Sequence, residues 1–238
     1  MITLDLPGFG ESPPAGAGFD LDAVTDRLAR ALAARHVTAP FDLVGHSLGG
    51  AVALTLAAHR PRLVRRLVLV APAGLQRRRA PLPGALLGSG ATGLFAARRR
   101  LAGLSERTWG RRLLLAFAAA DGATVSPDQA RMMVEASAPA QRIAEALTTI
   151  ARADLMPLIT TVPAPVGLIW GREDRPVPLR LSAEILARRP DTELEVIDWT
   201  GHVPMVERPD SFALALERLL ARLDKDATSS GAPRRRLR

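Results

Sequence analysis

Gly45-His46-Ser47-Leu48-Gly49-Gly50 carries the strongest chemical signal in the chain. The pattern G-x-S-x-G describes a sharp strand-to-helix turn that holds a serine in a strained conformation with its hydroxyl exposed. Glycines 45 and 49 are expected to flank it because a side chain there would strike neighbouring backbone. A serine hydroxyl needs a base, and the base needs an acid to orient it. Four histidines are available. His36 and His59 stand at the ends of helical patterns, where a histidine is ordinarily solvated. His46 adjoins the serine inside the turn and is expected, with Val203, to shape the substrate pocket. His202, in Thr200-Gly201-His202-Val203-Pro204, follows an apolar run and is the base candidate. The acid candidates are Glu173 and Asp174, in Arg172-Glu173-Asp174-Arg175-Pro176, and Asp198. Asp174 is favoured because it precedes a turn ahead of the next helical pattern. Glu173 reads as solvated and Asp198 as a surface carboxylate. An acid after the apolar run 67–70 is excluded, since no Asp or Glu occurs from residue 71 until Glu106.

These residues need a scaffold that brings distant loops together. The run 41–44 is short and apolar and leads into Gly45; the small, apolar stretch 51–59 after it has the composition of a helix packed on a sheet. Strands are also expected at 2–5, 67–70, 166–170 and 194–197. Helices are expected at 20–36, where Leu21, Val24, Leu28 and Leu32 recur at helical spacing, and at 181–188 and 212–223. Strands alternating with helices specify an α/β fold with a mostly parallel sheet covered on both faces. Residues 75–157 break the rhythm and read as several helices with glycine joints at Gly84, Gly88, Gly90 and Gly93. The expected organisation is a first core part (1–73), a helical cap (74–157), a second core part (158–224) and a disordered basic tail (225–238).

Together the serine turn, the Gly-Arg-Glu-Asp loop, the Gly-His loop and Asp5-Leu6-Pro7-Gly8-Phe9-Gly10-Glu11-Ser12 resemble the α/β-hydrolase fold family. Within it the pattern is similar to serine esterases and carbon–carbon hydrolases with a helical cap. The order Ser47, Asp174, His202 matches that family. The resemblance implies hydrolysis of a carboxylic ester or related acyl bond through an acyl-enzyme. Ser47 would attack, His202 would move the proton, Asp174 would fix the imidazole, and the Leu48 N–H would be one oxyanion donor. It implies no cofactor and no metal. Carbon–carbon bond hydrolysis is the second reading, and a non-catalytic hydrolase-fold binding protein the third. In the family an Asp-x-x-Gly-x-Gly turn follows the fourth strand, whereas this chain starts on it. Three strands and the His-Gly oxyanion loop, roughly 40 residues, are therefore expected upstream of Met1, with residues 2–5 and 41–44 short of neighbours.

Composition narrows the remaining choices. The chain has 238 residues, no cysteine, 32 basic and 24 acidic side chains and a formal charge of +8. Disulfides, thiolate nucleophiles and Cys-based zinc sites are excluded. No apolar run reaches the ~18 residues of a membrane span and no signal peptide is visible, so a cytoplasmic location is expected. Aromatic residues are 4% with no tyrosine, which disfavours nucleic-acid binding. Residues 74–157 hold twelve basic and six acidic groups, and 225–238 five and one, so the excess lies in the cap and tail. The apolar cap stretches 82–87, 113–117 and Met132-Met133, beside Arg77-Arg78-Arg79 and Arg98-Arg99-Arg100, read first as amphipathic helices with solvated arginines. The functional reading is a pocket for a small acyl substrate whose rim attracts an anionic substrate, an acidic carrier protein or a membrane surface. Neutralising both arginine triplets should raise KM for anionic esters and flatten its salt dependence, while neutral esters are unaffected in the same steady-state assay.

Overall fold

The computed structural model describes residues 1–14, 16, 18–37, 40–75, 99–135 and 140–229. Four strands, β1 (Phe41–His46), β2 (Val64–Val70), β3 (Val166–Gly171) and β4 (Glu193–Ile197), form one parallel sheet in the order β1-β2-β3-β4. Parallel neighbours need crossovers, and helices supply them. Helix α1 (Leu21–Ala34) precedes β1, its first turn capped by Asp20, whose carboxylate accepts the Ala23 N–H at 2.7 Å. Helix α2 (Leu48–His59) joins β1 to β2. The long insertion between β2 and β3 contains α3 (Thr108–Leu115), α4 (Pro127–Glu135) and α5 (Ala140–Arg152). Helix α6 (Arg180–Arg188) joins β3 to β4, and α7 (Pro204–Glu207) and α8 (Pro209–Ser229) follow.

Both faces of the central strands are buried, which is why they read as continuous apolar runs rather than alternating ones. All six residues of β3 are buried. Leu67, Leu69, Leu168 and Trp170 point into a core shared with Ala53, Leu54 and Ile185. Val68, Val70, Ile169 and Ile197 point the other way, onto Ala215, Leu219 and Leu223 of α8. Helix α2 is apolar on every side, and its residues from Gly50 to Ala57 are all buried. A helix hydrophobic all round belongs inside a fold; the sheet and α1 enclose it.

Residues 2–5 are not a strand in this structure, contrary to expectation. Extended backbone needs a neighbour to take its hydrogen bonds, and the described residues offer it none. Instead the segment ends in a turn in which the Glu11 N–H reaches the Asp5 carboxylate at 3.1 Å. β1 is correspondingly an edge strand, with Val44 43% exposed.

The insertion is tied at its neck, where the Leu155 N–H donates to the Gly74 carbonyl at 3.0 Å. Gly74 is in the left-handed region (φ +84°), and a Cβ there would come within 2.8 Å of Leu155. Beyond the neck the described part is helical, around its own apolar cluster of Ala102, Leu114, Leu115, Ala119, Val125, Ala130 and Val134. The expected cap features at Arg77-Arg78-Arg79, Arg98, 82–87 and the four glycine joints lie outside the described residues. Helix α8 runs to Ser229, past the expected boundary at 224, and 230–238 lie outside the described residues. Among the described residues no helix is long and apolar enough to cross a membrane.

Leu219 is fully buried, and its side chain lies 2.7 Å from where a Cβ on Gly167 of β3 would sit. Leu219→Ala should therefore cost about 2–5 kcal/mol, read as a lower urea midpoint with an unchanged slope.

Candidate active site

Ser47 sits between β1 and α2 with φ +50° and ψ −116°, a conformation that costs a non-glycine residue of order 1–3 kcal/mol. Backbone hydrogen bonds hold it there. The Ser47 N–H donates to the Val70 carbonyl at 3.0 Å, and the Ser47 carbonyl accepts from Gly50, Ala51 and Ala73 at 2.9, 3.2 and 3.0 Å. A Cβ on Gly45 would lie 2.4 Å from the Gly49 carbonyl, and one on Gly50 would lie 2.9 Å from Pro72. At Gly49 a Cβ would meet nothing within 4 Å among the described residues, so the steric demand falls on Gly45 and Gly50 rather than on Gly49. The Ser47 side chain does not cap α2. Leu48, the first residue of α2, has no intrahelical partner for its N–H, which is left at the positive end of the helix directly after Ser47 in the chain.

His202 lies in the loop after β4, and its Nδ1 is 2.8 Å from Asp174 Oδ2. The Asp174 side chain is fully buried. Its other oxygen accepts the Val177 N–H at 2.8 Å, and the Trp170 indole N–H donates to the Val177 carbonyl at 2.7 Å. Asp174 is therefore fixed by the loop it belongs to, and its free oxygen faces the imidazole. A carboxylate at Nδ1 orders the ring with its proton there, which leaves the Nε2 lone pair open. A strained serine, a helix N-terminus and a histidine held by a buried carboxylate are the parts that nucleophilic acyl transfer needs.

The other expected residues fall elsewhere. Asp198 is exposed and ion-paired with Arg172. Glu173 is not simply solvated, since its Oε2 accepts the Thr200 N–H at 2.7 Å and its own N–H donates to the Thr200 carbonyl at 3.0 Å. His36 has φ +57° at the end of α1, and His59 Nδ1 lies 3.8 Å from Asp22. His46 Nε2 is 2.7 Å from the His202 carbonyl, and the two rings are 4.7 Å apart. Because a carbonyl only accepts, the His46 proton sits on Nε2. Val203 caps α7, and its carbonyl accepts the N–H of Val206 and Glu207.

Three residues that sequence reasoning missed also grip this region. Glu207 is buried; its Oε1 accepts the Gly201 N–H at 2.8 Å and its Oε2 the Ala120 N–H at 2.7 Å. Burial raises its carboxyl above the usual range against these bonds. Arg175 donates to the Ala116 and Ala119 carbonyls at 2.6 and 2.8 Å. The Ala118 carbonyl accepts the His202 N–H at 2.7 Å. The spacing of Glu207 from His202 is visible in the sequence, but its backbone partners are not.

The alpha/beta hydrolase family model matches residues 1–215. The chain belongs to that family. This alpha/beta hydrolase is 32% identical over 226 residues to a pimeloyl-[acyl-carrier protein] methyl ester esterase of Neisseria meningitidis serogroup A, covering 90% of this chain and 65% of that protein. The 2-hydroxymuconate semialdehyde hydrolase of Pseudomonas sp. (strain CF600) is 31% identical, over 96% of this chain and 79% of its own length. Among solved structures, a meta-cleavage product hydrolase from Pseudomonas fluorescens IP01 superposes with a TM-score of 0.66 at 25% identity, covering 94% of this chain and 78% of that one. The chain thus spans about two thirds of the Neisseria esterase.

Burial, and secondarily the neighbouring His202, push the His46 pKa down from 6.5 to about 4. An unfolded chain then binds the proton more readily than the folded one between these values. The contribution of His46 is fully present above pH 6.5 and is lost as pH falls toward 4, by up to about 3 kcal/mol. Urea denaturation at a series of pH values from 7 to 4 should show a steeper loss for the native sequence than for His46→Gln.

Proposed function

We propose that this chain is a serine hydrolase that cleaves a carboxylic ester through an acyl-enzyme. The buried Asp174 carboxylate aimed at His202 Nδ1 carries this reading, because it fixes the tautomer in which Nε2 is a base. Ser47 Oγ attacks the ester carbonyl while His202 Nε2 takes its proton. The carbonyl π electrons move to oxygen, giving a tetrahedral oxyanion beside the Leu48 N–H. Collapse expels the alcohol, which takes the proton from the imidazolium, and leaves Ser47 acylated. Water then repeats the sequence: His202 removes its proton, hydroxide adds to the acyl carbon, and Ser47 leaves with the proton returned.

Similarity to the Neisseria esterase supports an ester whose acyl part is borne on an acyl carrier protein. The exposed Arg99, Arg100 and Arg107 of the insertion suit such an acidic partner. A carbon–carbon hydrolase is the second reading, supported by similarity to the Pseudomonas semialdehyde hydrolase over 96% of this chain.

A fluorophosphonate probe should label the chain at Ser47, and Ser47→Ala should abolish the adduct. Asp174→Asn should lower kcat about 10⁴-fold by favouring the wrong imidazole tautomer. Absence of any adduct, or an adduct that survives Ser47→Ala, would overturn the proposal. A panel pairing methyl esters, free and carrier-bound, with vinylogous 1,5-diketones then separates the ester from the carbon–carbon reading.

A further inference from the structure

The turn at residues 116–120, just after α3 in the insertion, is held by both loops that carry Asp174 and His202. From the Asp174 loop, Arg175 donates to the Ala116 and Ala119 carbonyls. From the His202 side, Glu207 accepts the Ala120 N–H with one oxygen and the Gly201 N–H with the other. The buried carboxylate thus bridges the insertion and the residue before His202. His202 itself gives its N–H to the Ala118 carbonyl. Contact is backbone on backbone, since a Cβ on Gly201 would come within 2.7 Å of the Ala120 nitrogen and 2.8 Å of the Ala118 oxygen. On the opposite side, His46 Nε2–H meets the His202 carbonyl.

From this geometry we infer that the 116–120 turn is the seat of the base, with Glu207 and Arg175 as positioning residues that act through His202. Both peptide groups of His202 are spent, one on the turn and one on His46. The imidazole can therefore be offered to Ser47 and Asp174 only while the turn is docked. The insertion then does more than cover substrate, because it completes the orientation of the catalytic histidine. This rests on the serine-hydrolase reading for its kinetic consequence, but not for its structural one.

Three substitutions test it by different chemistry. Glu207→Gln replaces an acceptor oxygen with a donor facing an N–H. Arg175→Lys replaces the guanidinium, whose single Nη1 serves both carbonyls, with a shorter ammonium that no longer reaches them together, and Gly201→Ala wedges the turn away without deleting any bonding group. The first readout needs no activity: the His202 Nδ1–H proton in ¹H NMR, hydrogen-bonded to Asp174, should shift or broaden in all three variants and keep its place in the unmodified chain. The second is kinetic, on p-nitrophenyl acetate, which is too small to need the insertion for binding. Each variant should lose kcat by about 10- to 100-fold, with KM within about threefold. Losses in Glu207→Gln/Arg175→Lys should be smaller than the product of the single losses, because both residues act through one turn. An unmoved Nδ1–H signal in folded Glu207→Gln and Gly201→Ala would overturn the inference. A kcat unchanged in those variants of an active chain would overturn it as well. An unmodified chain with that signal intact but no esterase activity or probe adduct would instead overturn the serine-hydrolase reading alone; shifted signals in its variants would still support the docked turn.

Discussion

The structure depends on the end of β2 meeting the turn after β1. Ser47 adopts a backbone conformation that its side chain disfavours, and it does so because Val70 and Ala73 take its N–H and carbonyl. Ala71, also in the left-handed region at φ +41°, lies between those two contacts and donates to Ile169 of β3. Ser47 is thus held by residues on either side of Ala71, and Ala71 by the next strand. Local strain of this kind persists only where the surroundings over-determine it. Here the over-determination comes from three parallel strands ending at one level. The same edge carries the loops of Asp174 and His202, as expected for parallel α/β sheets, where ligands bind beyond the carboxyl ends of strands.

Much of this site was legible because its parts announce themselves locally. A strand-ending Gly-x-Ser-x-Gly, a carboxylate after one strand and a histidine after another need only chain order to be connected. The strands expected at 166–170 and 194–197, found at 166–171 and 193–197, were legible for the same reason, each a short segment of strand-like residues bounded by turn residues. Illegible were the residues whose partners are backbone atoms far away in sequence. Glu207 binds Ala120, and Arg175 binds Ala116, because of how the insertion folds back. Backbone acceptors have no side-chain signature, so nothing in the sequence marks Ala118 as a partner of His202. The expected strand at 2–5 illustrates the reverse case. Ile2 and Leu4 have strand-like character, but a strand is a pair property, and the neighbouring positions are not filled by described residues.

Charge is organised differently in the sheet and at the site. Asp42 of β1 takes hydrogen bonds from both Arg65 and Arg66, and its carboxyl is held down at about 2. Arg66 also reaches Asp224 of α8, so one guanidinium joins a strand to the last helix. At the site, by contrast, the anionic groups are largely spent on backbone amides: Glu173 on Thr200, Glu207 on Gly201 and Ala120, Asp174 on Val177. Amide donors fix these carboxylates through charge-assisted hydrogen bonds to the backbone.

The Gly74–Leu155 hydrogen bond closes the base of the insertion before anything inside it is specified. The two sheet strands on either side therefore see a short, rigid joint instead of a long loop, whatever that loop contains. A module attached in this way can be exchanged, lengthened or rebuilt over evolutionary time at little cost to the sheet, since loop-closure entropy grows only slowly with length. What must be kept in any replacement is a second foothold, a turn with carbonyls and an amide placed as those of Ala116, Ala118, Ala119 and Ala120 are. New substrate preferences could then be drawn from the rest of the module without redesigning the chemistry beneath it.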